Sequence, residues 1–205
     1  MRLHYAPGTI SIAVAIALHE AGLPFDAIPV DFRARAQTLP EYRRINPKGR
    51  VPALEVPDGI LTETGAILEY IAAVVPTAKL MPEDPFQAAR LRGVMYYLAS
   101  TMHVNHAHRL RASRWADSEA AQADMRAKVP QTMAASCAYV EDYCLSGPFI
   151  TGAQITVADP YLFVVCNWLE GDGIDVTAYP RIAAFRAAME ARPSVKAARA
   201  AGMLP

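Results

Sequence analysis

The chain has 205 residues, enough for one large domain or two small ones with a buried core. Lysine and arginine total 20, as do aspartate and glutamate, so net charge gives no reason to expect a nucleic acid or an anionic membrane as partner. No apolar run approaches the ~20 residues that cross a bilayer, and the chain opens on a predicted strand rather than a signal sequence. With 3 cysteines outside any Cys-x-x-Cys pair, these features predict a cytoplasmic protein with reduced thiols.

Residues 1–30 predict a parallel crossover unit. Strands are predicted at 2–5 and 25–30, and a helix begins between them, near residues 9–11. Beside its apolar stripe, Ile12 and Ile16 make the other flank apolar too, so this helix is predicted to be enclosed for most of its length. Gly22 and Pro24 end this helix. A strand, a helix and a second strand in so short a stretch favour parallel strands joined by the helix.

Residues 31–75 complete the first domain. A short helix is predicted near 40–45, and strands at 53–56 and 60–62 flank Pro57-Asp58-Gly59, which indicates a tight antiparallel hairpin. A helix follows over 63–75. The resulting β-α-β-α-β-β-α order predicts a thioredoxin-like α/β domain over residues 1–77.

The second half of the chain predicts helices alone. Prolines between residues 76 and 85 indicate a linker, placed at 78–85, before an all-α domain over 86–205. Helices are predicted at about 86–111, 118–145, 156–170, 180–192 and 194–201. Thr156 and Asp159 have the spacing of a capping box, with the Asp159 carboxylate reaching back to the Thr156 amide.

The stretch Asn46–Leu54 and the pair Glu63-Thr64 predict a ligand pocket. A cis bond at Val51-Pro52 would turn the Val51 amide and carbonyl outward, where a peptide-like ligand can pair with them. The helix that Glu63 and Thr64 open offers amides, a hydroxyl and a positive dipole end to a carboxylate. Each feature alone is typical of an edge-strand proline or a helix cap, but their order and spacing favour a pocket for a small peptide.

The chain resembles the cytosolic glutathione transferases over nearly its whole length, most closely the bacterial beta class. The motifs that carry the resemblance are Asn46-Pro-Lys-Gly-Arg-Val-Pro-Ala-Leu54, Thr62-Glu-Thr-Gly-Ala-Ile67, Ile155-Thr-Val-Ala-Asp-Pro-Tyr161 and Ala191-Arg-Pro-Ser-Val195. The resemblance implies a thioredoxin-like domain joined to a helical domain, a homodimer, and glutathione as co-substrate for a small electrophile.

The resemblance also implies roles for single residues. Val51, before a cis Pro52, pairs with the cysteinyl backbone of glutathione, and Glu63 with Thr64 holds the γ-glutamyl end. Arg35 or Arg50 lies near the glycyl carboxylate. Because glutathione carries an ammonium group and two carboxylates, an acid and several anion-binding groups suit it. The alternative for Arg35 and Arg50 is a solvated surface charge.

The turn that faces the thiol departs from this family. Beta-class enzymes typically have Cys where this chain has Ile10, so disulfide exchange at that position is excluded. Another group must then stabilise the thiolate, because an unperturbed thiol has a pKa of about 8.5. Ser11 is the first candidate donor, Thr9 the second and Tyr5 the third, with backbone amides alone as a further possibility. Instead of a donor to the thiolate, Thr9 is alternatively a helix cap and Tyr5 an aromatic residue of the core.

A histidine cluster follows in the first helix of the second domain. The resemblance places it at the cleft and gives His103 the position of a beta-class active-site histidine. His106 shares a helix face with His103, whereas His108 points away, and the spacing suggests no metal site. We predict that His103 is a catalytic group and that His106, Arg111 and Trp115 line the acceptor pocket. The alternative for the two histidines is that they are polar groups satisfied in a helical interface. The alternative for Arg111 and Trp115 is a solvated helix end.

The sequence therefore predicts a transferase that holds glutathione as a thiolate for attack on a small electrophile, with a preference for an anionic one favoured by the basic edge near Arg111. One alternative is a non-catalytic binding or regulatory protein on the same fold. The other is a glutathione-dependent peroxidase, lyase or dehalogenase using the same site. No metal, nucleic-acid or membrane partner is expected.

Overall fold

The computed structural model describes residues 1–204. The N-terminal part holds four strands and three helices in the predicted β-α-β-α-β-β-α order. They are β1 (Arg2–Tyr5), α1 (Ser11–Glu20), β2 (Asp26–Pro29), α2 (Pro40–Arg43), β3 (Ala53–Val56), β4 (Gly59–Thr62) and α3 (Thr64–Val74). The thioredoxin-like fold class is confirmed.

The strands form one mixed sheet in the order β2-β1-β3-β4. β1 and β2 are parallel, with Leu3 opposite Ala27, which confirms the crossover unit. β3 is antiparallel to both of its neighbours, so Leu54 lies opposite Leu3 on one side and Leu61 on the other. The predicted hairpin between β3 and β4 is therefore also present.

Six helices follow. They are α4 (Pro85–Tyr97), α5 (His103–Arg111), α6 (Glu119–Tyr139), α7 (Ala158–Cys166), α8 (Pro180–Glu190) and α9 (Pro193–Ala200). A π-helical turn, Leu98–Met102, joins α4 to α5, so the helix predicted over 86–111 is one run with a local widening just before His103. Single π turns of this kind are frequent at functional sites. The limits 1–77 and 86–205 for the two domains stay predictions.

Helix α1 is enclosed by both parts of the chain. Each residue from Ser11 to Leu18 is buried, because apolar side chains surround the helix rather than forming one stripe. α1 packs against α3 on one side and against α7 and α9 on the other. At its C-terminal end, Glu20 accepts hydrogen bonds from Arg192 (2.5 and 2.6 Å) and from Ser194 (2.5 Å). The C-terminal end of α1 is thereby tied to the helical part.

Asp159 anchors the loop before α7. Its carboxylate accepts hydrogen bonds from the amide and hydroxyl of Thr156, at 2.6 and 2.7 Å, and from the amide of Ile150, at 2.8 Å. The predicted contact to the Thr156 amide is present, but the Thr156 hydroxyl donates to the carboxylate instead of accepting an amide, and α7 begins at Ala158. Burial raises the pKa of Asp159 to about 6.

The three cysteines are buried free thiols. Burial raises the pKa of each, so the thiol form persists at neutral pH. None of the helices within residues 1–204 combines the length and apolarity that a bilayer crossing requires.

Candidate active site

The loop before β3 is held in one shape by its own polar groups. The carbonyl of Arg50 accepts hydrogen bonds from the Tyr42 hydroxyl, at 2.8 Å, and from Asn46 Nδ2, at 2.7 Å. Gly49 has φ +61°, and a Cβ there would lie 2.9 Å from the carbonyl oxygen of Gln37. Only glycine fits at this position without displacing the neighbouring backbone.

This loop forms one wall of a cavity of about 670 Å³ between the sheet domain and the helices, which we call the peptide cavity. Seven of the predicted site residues line it: Ile10, Arg50, Val51, Pro52, Glu63, Thr64 and His103. The Val51-Pro52 bond is cis, as the resemblance implied. The structure therefore brings together residues that are up to 93 positions apart (Ile10 and His103) around a space suited to a small peptide.

Glu63 and Thr64 lie at the start of α3. Thr64 is buried, and Glu63 precedes the helix with φ +74°, a conformation unusual for a residue with a side chain. The carboxylate of Glu63 pairs with the ammonium group of Lys48, which also donates to Thr62 Oγ1 at 2.8 Å. Lys48 belongs to the motif quoted from the sequence, but its partnership with Glu63 was not predicted.

Sequence reasoning missed Tyr161 as a residue of the peptide cavity, and it included Asn46 in the predicted stretch without giving it a role. Both belong to motifs that carried the family resemblance, which was the available signal. Burial, and then the charge of Glu63, raises the pKa of the Tyr161 phenol. Tyr161 is therefore a protonated hydroxyl at neutral pH and can donate a hydrogen bond inside the cavity.

A second cavity, of about 310 Å³, lies between α5 and the loops after β1 and β2. We call it the basic cavity, because four arginines and two histidines line it and no acidic residue does so in the described part of the chain. The arginines are Arg50, Arg109, Arg111 and Arg114, and the histidines are His103 and His106. The two cavities share Ile10, Arg50, Val51 and His103, so they meet at the turn where α1 begins.

His103 stands in the shared wall directly after the π turn. Burial lowers its pKa to about 4, and the charges of His106, Arg111, Arg114 and Arg50 act in the same direction. Its imidazole is therefore neutral at pH 7, with one nitrogen as donor and the other as acceptor.

His106 is oriented by its neighbours. Its Nδ1 lies 2.7 and 3.0 Å from the two carboxylate oxygens of Asp172, and its ring stacks on Trp168 with 4.2 Å between centroids. The Asp172 side chain is fully buried and also lies 3.1 Å from Arg109 Nε. His103 and His106 share a helix face, as predicted, with ring centroids 6.5 Å apart. The roles of Asp172 and Trp168 were not predicted, because both lie far along the chain.

The hydroxyls of Thr9 and Ser11 bond to each other and to Ala6. Thr9 Oγ1 donates to the Ala6 carbonyl at 2.8 Å, Ser11 Oγ accepts the Ala6 amide at 3.1 Å, and the two hydroxyl oxygens are 2.7 Å apart. Each hydroxyl has one hydrogen, and both hydrogens find acceptors within this group. Within residues 1–204, no acceptor lies in hydrogen-bond range of the Ile10 amide.

Four predicted site residues line neither cavity: Tyr5, Ser11, Arg35 and Trp115. Tyr5 and Ser11 are buried in the core, and Arg35 is exposed with φ +56°. Trp115 packs edge-on against His108, 4.6 Å between ring centroids, on the helix face that points away from the cleft. Trp115 therefore does not lie beside His106 and Arg111 in the lining of the second cavity, where the prediction grouped it with them. Within residues 1–204, no group of three or more histidine, cysteine or acidic side chains is placed to hold a metal ion.

A thioredoxin-like domain is packed on an all-helical domain, and a cavity large enough for a small peptide lies at their junction. Family comparison agrees with this architecture. The glutathione S-transferase N-terminal domain matches residues 1–73, and the glutathione S-transferase C-terminal domain matches residues 105–201. The chain belongs to the glutathione S-transferase family.

Individual relatives are similar over nearly the whole chain. A solved glutathione transferase homolog from Sulfitobacter, with bound glutathione, is 57% identical with a TM-score of 0.97, covering 99% of this chain and 98% of its own. A bacterial beta class glutathione S-transferase from Sphingomonas chungbukensis is 34% identical with a TM-score of 0.86, covering 98% of both chains. Glutathione S-transferase GstA of Escherichia coli O157:H7 is 32% identical over 98% of both chains. The predicted family and enzyme class are confirmed.

Proposed function

We propose that the protein binds glutathione in the peptide cavity and transfers it to a small electrophile in the basic cavity. The observation that carries this proposal is the shared wall: a peptide in one cavity can present its thiol to the other only where Ile10, Val51 and His103 meet. Glu63 suits the γ-glutamyl ammonium, and Thr64 at the start of α3 suits the adjoining carboxylate. We also propose a homodimer, which the family resemblance implies.

In this proposal, the backbone amide of Ile10 donates the hydrogen bond that stabilises the thiolate of glutathione. Lowering a thiol pKa by two units requires about 2.7 kcal/mol of selective stabilisation of the anion. An amide with no internal acceptor, at the positive end of the α1 dipole, supplies part of it. Ser11, the first candidate from the sequence, then acts by holding Thr9 and Ala6 in place rather than by contacting sulfur.

The chemical step then needs no covalent enzyme intermediate. Sulfur attacks the electrophilic carbon across the shared wall, and proximity of the two bound reactants supplies much of the rate. His103, neutral at pH 7, can donate an N–H to the thiolate or to the leaving group without adding a positive charge to the site.

The test is a pH titration of thiolate absorbance for bound glutathione. The wild type should show a pKa well below the free value of about 8.5. Ile10→Pro removes the amide at a position whose φ of −59° proline accepts, and should return the pKa towards the free value. Ile10→Ala loses the same side chain but keeps the amide, and should retain the shift.

Other outcomes separate the alternatives. If the thiol pKa of bound glutathione stays low in Ile10→Pro but returns to the free value in Ser11→Ala, Thr9→Ala or Tyr5→Phe, a hydroxyl is the donor instead. Tight binding with an unshifted thiol pKa favours a non-catalytic binding protein. Absence of any glutathione binding by folded wild-type protein overturns the proposed function.

A further inference from the structure

We propose that the basic cavity selects acceptors that carry a carboxylate, held by the guanidinium groups of Arg111 and Arg114 beside the electrophilic carbon. This inference rests on the proposed function, because it names the substrate class of the same site. It concerns the half of the site that the family resemblance leaves undefined.

The first support is unbalanced charge. Of the arginines that line the basic cavity, Arg109 is paired with buried Asp172. Within residues 1–204, no carboxylate lies within ion-pair distance of Arg50, Arg111 or Arg114. These like charges lie on one cavity, two of them on exposed side chains, and an anion bound between them would be attracted by all three.

The three guanidinium groups are close enough to affect one another. Burial lowers the pKa of Arg114, and the charges of Arg111 and Arg50 lower it further. The same three arginines also lower the pKa of His103 in the shared wall. Arg50 and Arg114 are exposed and Arg111 is half-buried, and all three line the cavity that His103 also lines, so their charges act on the shared wall.

The second support is the shape and chemistry of the walls. The guanidinium of Arg111 lies over the ring of Phe32, with Cζ 5.8 Å from its centroid, and Leu110 and Trp168 complete an apolar lining. A guanidinium fork matches the two oxygens of a carboxylate, and the flat rings suit a planar group. Together they fit a compact aromatic or unsaturated carboxylate.

Glutathione has carboxylates of its own, so the two ligands must be distinguished. Arg50 lines both cavities and can serve the glycyl carboxylate. Arg111 and Arg114 line the basic cavity alone, on the far side of the shared wall from Glu63 and Thr64. An anion that contacts these two residues is therefore the acceptor and not the peptide.

A matched pair of electrophiles isolates the charge. 4-Chloro-3-nitrobenzoate and 4-chloro-3-nitrobenzamide have nearly the same size and react in the same way. Thiolate sulfur bonds to the carbon that bears chlorine, the C–Cl bond breaks, and chloride leaves with the electron pair. No oxidant, reductant or further proton is required. Each kcat/KM is divided by the uncatalysed rate constant with glutathione, because the amide activates the ring more strongly than the carboxylate.

The wild type should favour the benzoate over the benzamide at least tenfold by this measure, as expected when a charged group accepts a hydrogen bond from guanidinium. The double variant Arg111→Gln/Arg114→Gln should bring the ratio close to one. Arg126→Gln removes an exposed arginine of α6 that lines neither cavity, and should keep the wild-type ratio. Equal ratios in the wild type and the double variant overturn the inference while leaving the transferase function intact.

A binding measurement separates this inference from the chemistry. Calorimetry with the peptide cavity filled by S-methylglutathione, which cannot react, should show tighter binding of the benzoate than of the benzamide, and the double variant should lose the difference. If the wild type binds selectively but conjugates neither compound, the proposed function fails and the anion site stands. If the double variant binds S-methylglutathione more weakly by the same factor as the benzoate, the anion that the arginines hold is glutathione, and the inference fails.

Discussion

The peptide cavity and the basic cavity share four wall residues but differ in charge. The peptide cavity combines acids, Glu63 and Glu69, with a cation, Arg50, whereas cations alone carry the charge in the basic cavity among the described residues. A mixed lining suits a zwitterion, and a uniformly basic lining suits an anion. Two ligands can therefore meet at one turn while each is selected by its own electrostatics.

The two cavities also differ in construction. The peptide cavity is built largely from two short segments: the 46–52 loop, held by hydrogen bonds to the Arg50 carbonyl, and the start of α3, next to which Lys48 contacts Thr62 and Glu63. The basic cavity takes one face of α5 and closes it with Phe32 and Trp168 from distant parts of the chain. If the cavities are separate binding units, a change in one should leave the ligand of the other unaffected.

Removing the acid of the peptide cavity should give the largest effect. Glu63→Gln should weaken S-methylglutathione at least 100-fold, because a charge-assisted bond to the γ-glutamyl ammonium is lost and Lys48 is left without its partner. Calorimetry measures the affinity, with Glu83→Gln, an exposed acid outside both cavities, as the control. Unchanged affinity for the peptide would remove Glu63 from the site, and an equal loss of benzoate binding would show that the cavities are not separate.

Asp172 supports only the basic cavity. Asp172→Asn should lower the free energy of unfolding by about 2.5 kcal/mol, because the buried carboxylate pairs with both His106 and Arg109. Affinity for S-methylglutathione should stay at the wild-type value. Denaturant unfolding and calorimetry measure the two effects, with Asp124→Asn as an exposed control. Unchanged stability, or a parallel loss of peptide affinity, would contradict this separation.

His103 in the shared wall should make stability depend on pH. Its pKa is about 4 when folded and 6.5 in the unfolded reference, so between these values the unfolded state binds more protons. Stability from this group is complete above pH 6.5 and is lost as the pH falls towards 4. Between pH 6.5 and 4, the wild type should lose about 2 kcal/mol more than His103→Gln, a value reduced for partial exposure of the ring.

Denaturant unfolding at several pH values measures that difference. Comparing the two proteins is necessary because Asp159, with a pKa raised to about 6, acts with the opposite sign in the same range. Both proteins contain Asp159, so its contribution cancels. Parallel pH profiles for the wild type and His103→Gln would show that the histidine titrates normally.

A single neutral hydroxyl should give the smallest effect. Thr64→Val keeps the branched shape of this buried residue and removes its hydrogen bond to a bound carboxylate, so S-methylglutathione should weaken about tenfold. Binding of the benzoate to the basic cavity should not change. The same calorimetric titrations measure both affinities. If only the affinity for the benzoate falls, Thr64 contacts the acceptor and not the peptide.

The sequence by itself determined the order of the elements, the parallel crossover, the hairpin, and the two segments that form the peptide cavity. These features follow from periodicity, turn residues and helix starts, which act between neighbours in the chain. The Asn46–Leu54 stretch and the Glu63-Thr64 pair line the cavity because each needs only its own loop or helix end to be oriented. Local signals of this kind can be seen without the fold.

Tertiary packing alone decided which polar groups are available. Ser11 resembled an accessible donor, but α3, α7 and α9 enclose its helix and Thr9 and Ala6 occupy its hydroxyl. Trp115 was expected at the pocket, yet its ring packs on His108, while Trp168 takes the place beside His106. Burial and hydrogen-bond partners depend on contacts between residues far apart in the chain, so sequence spacing does not reveal them.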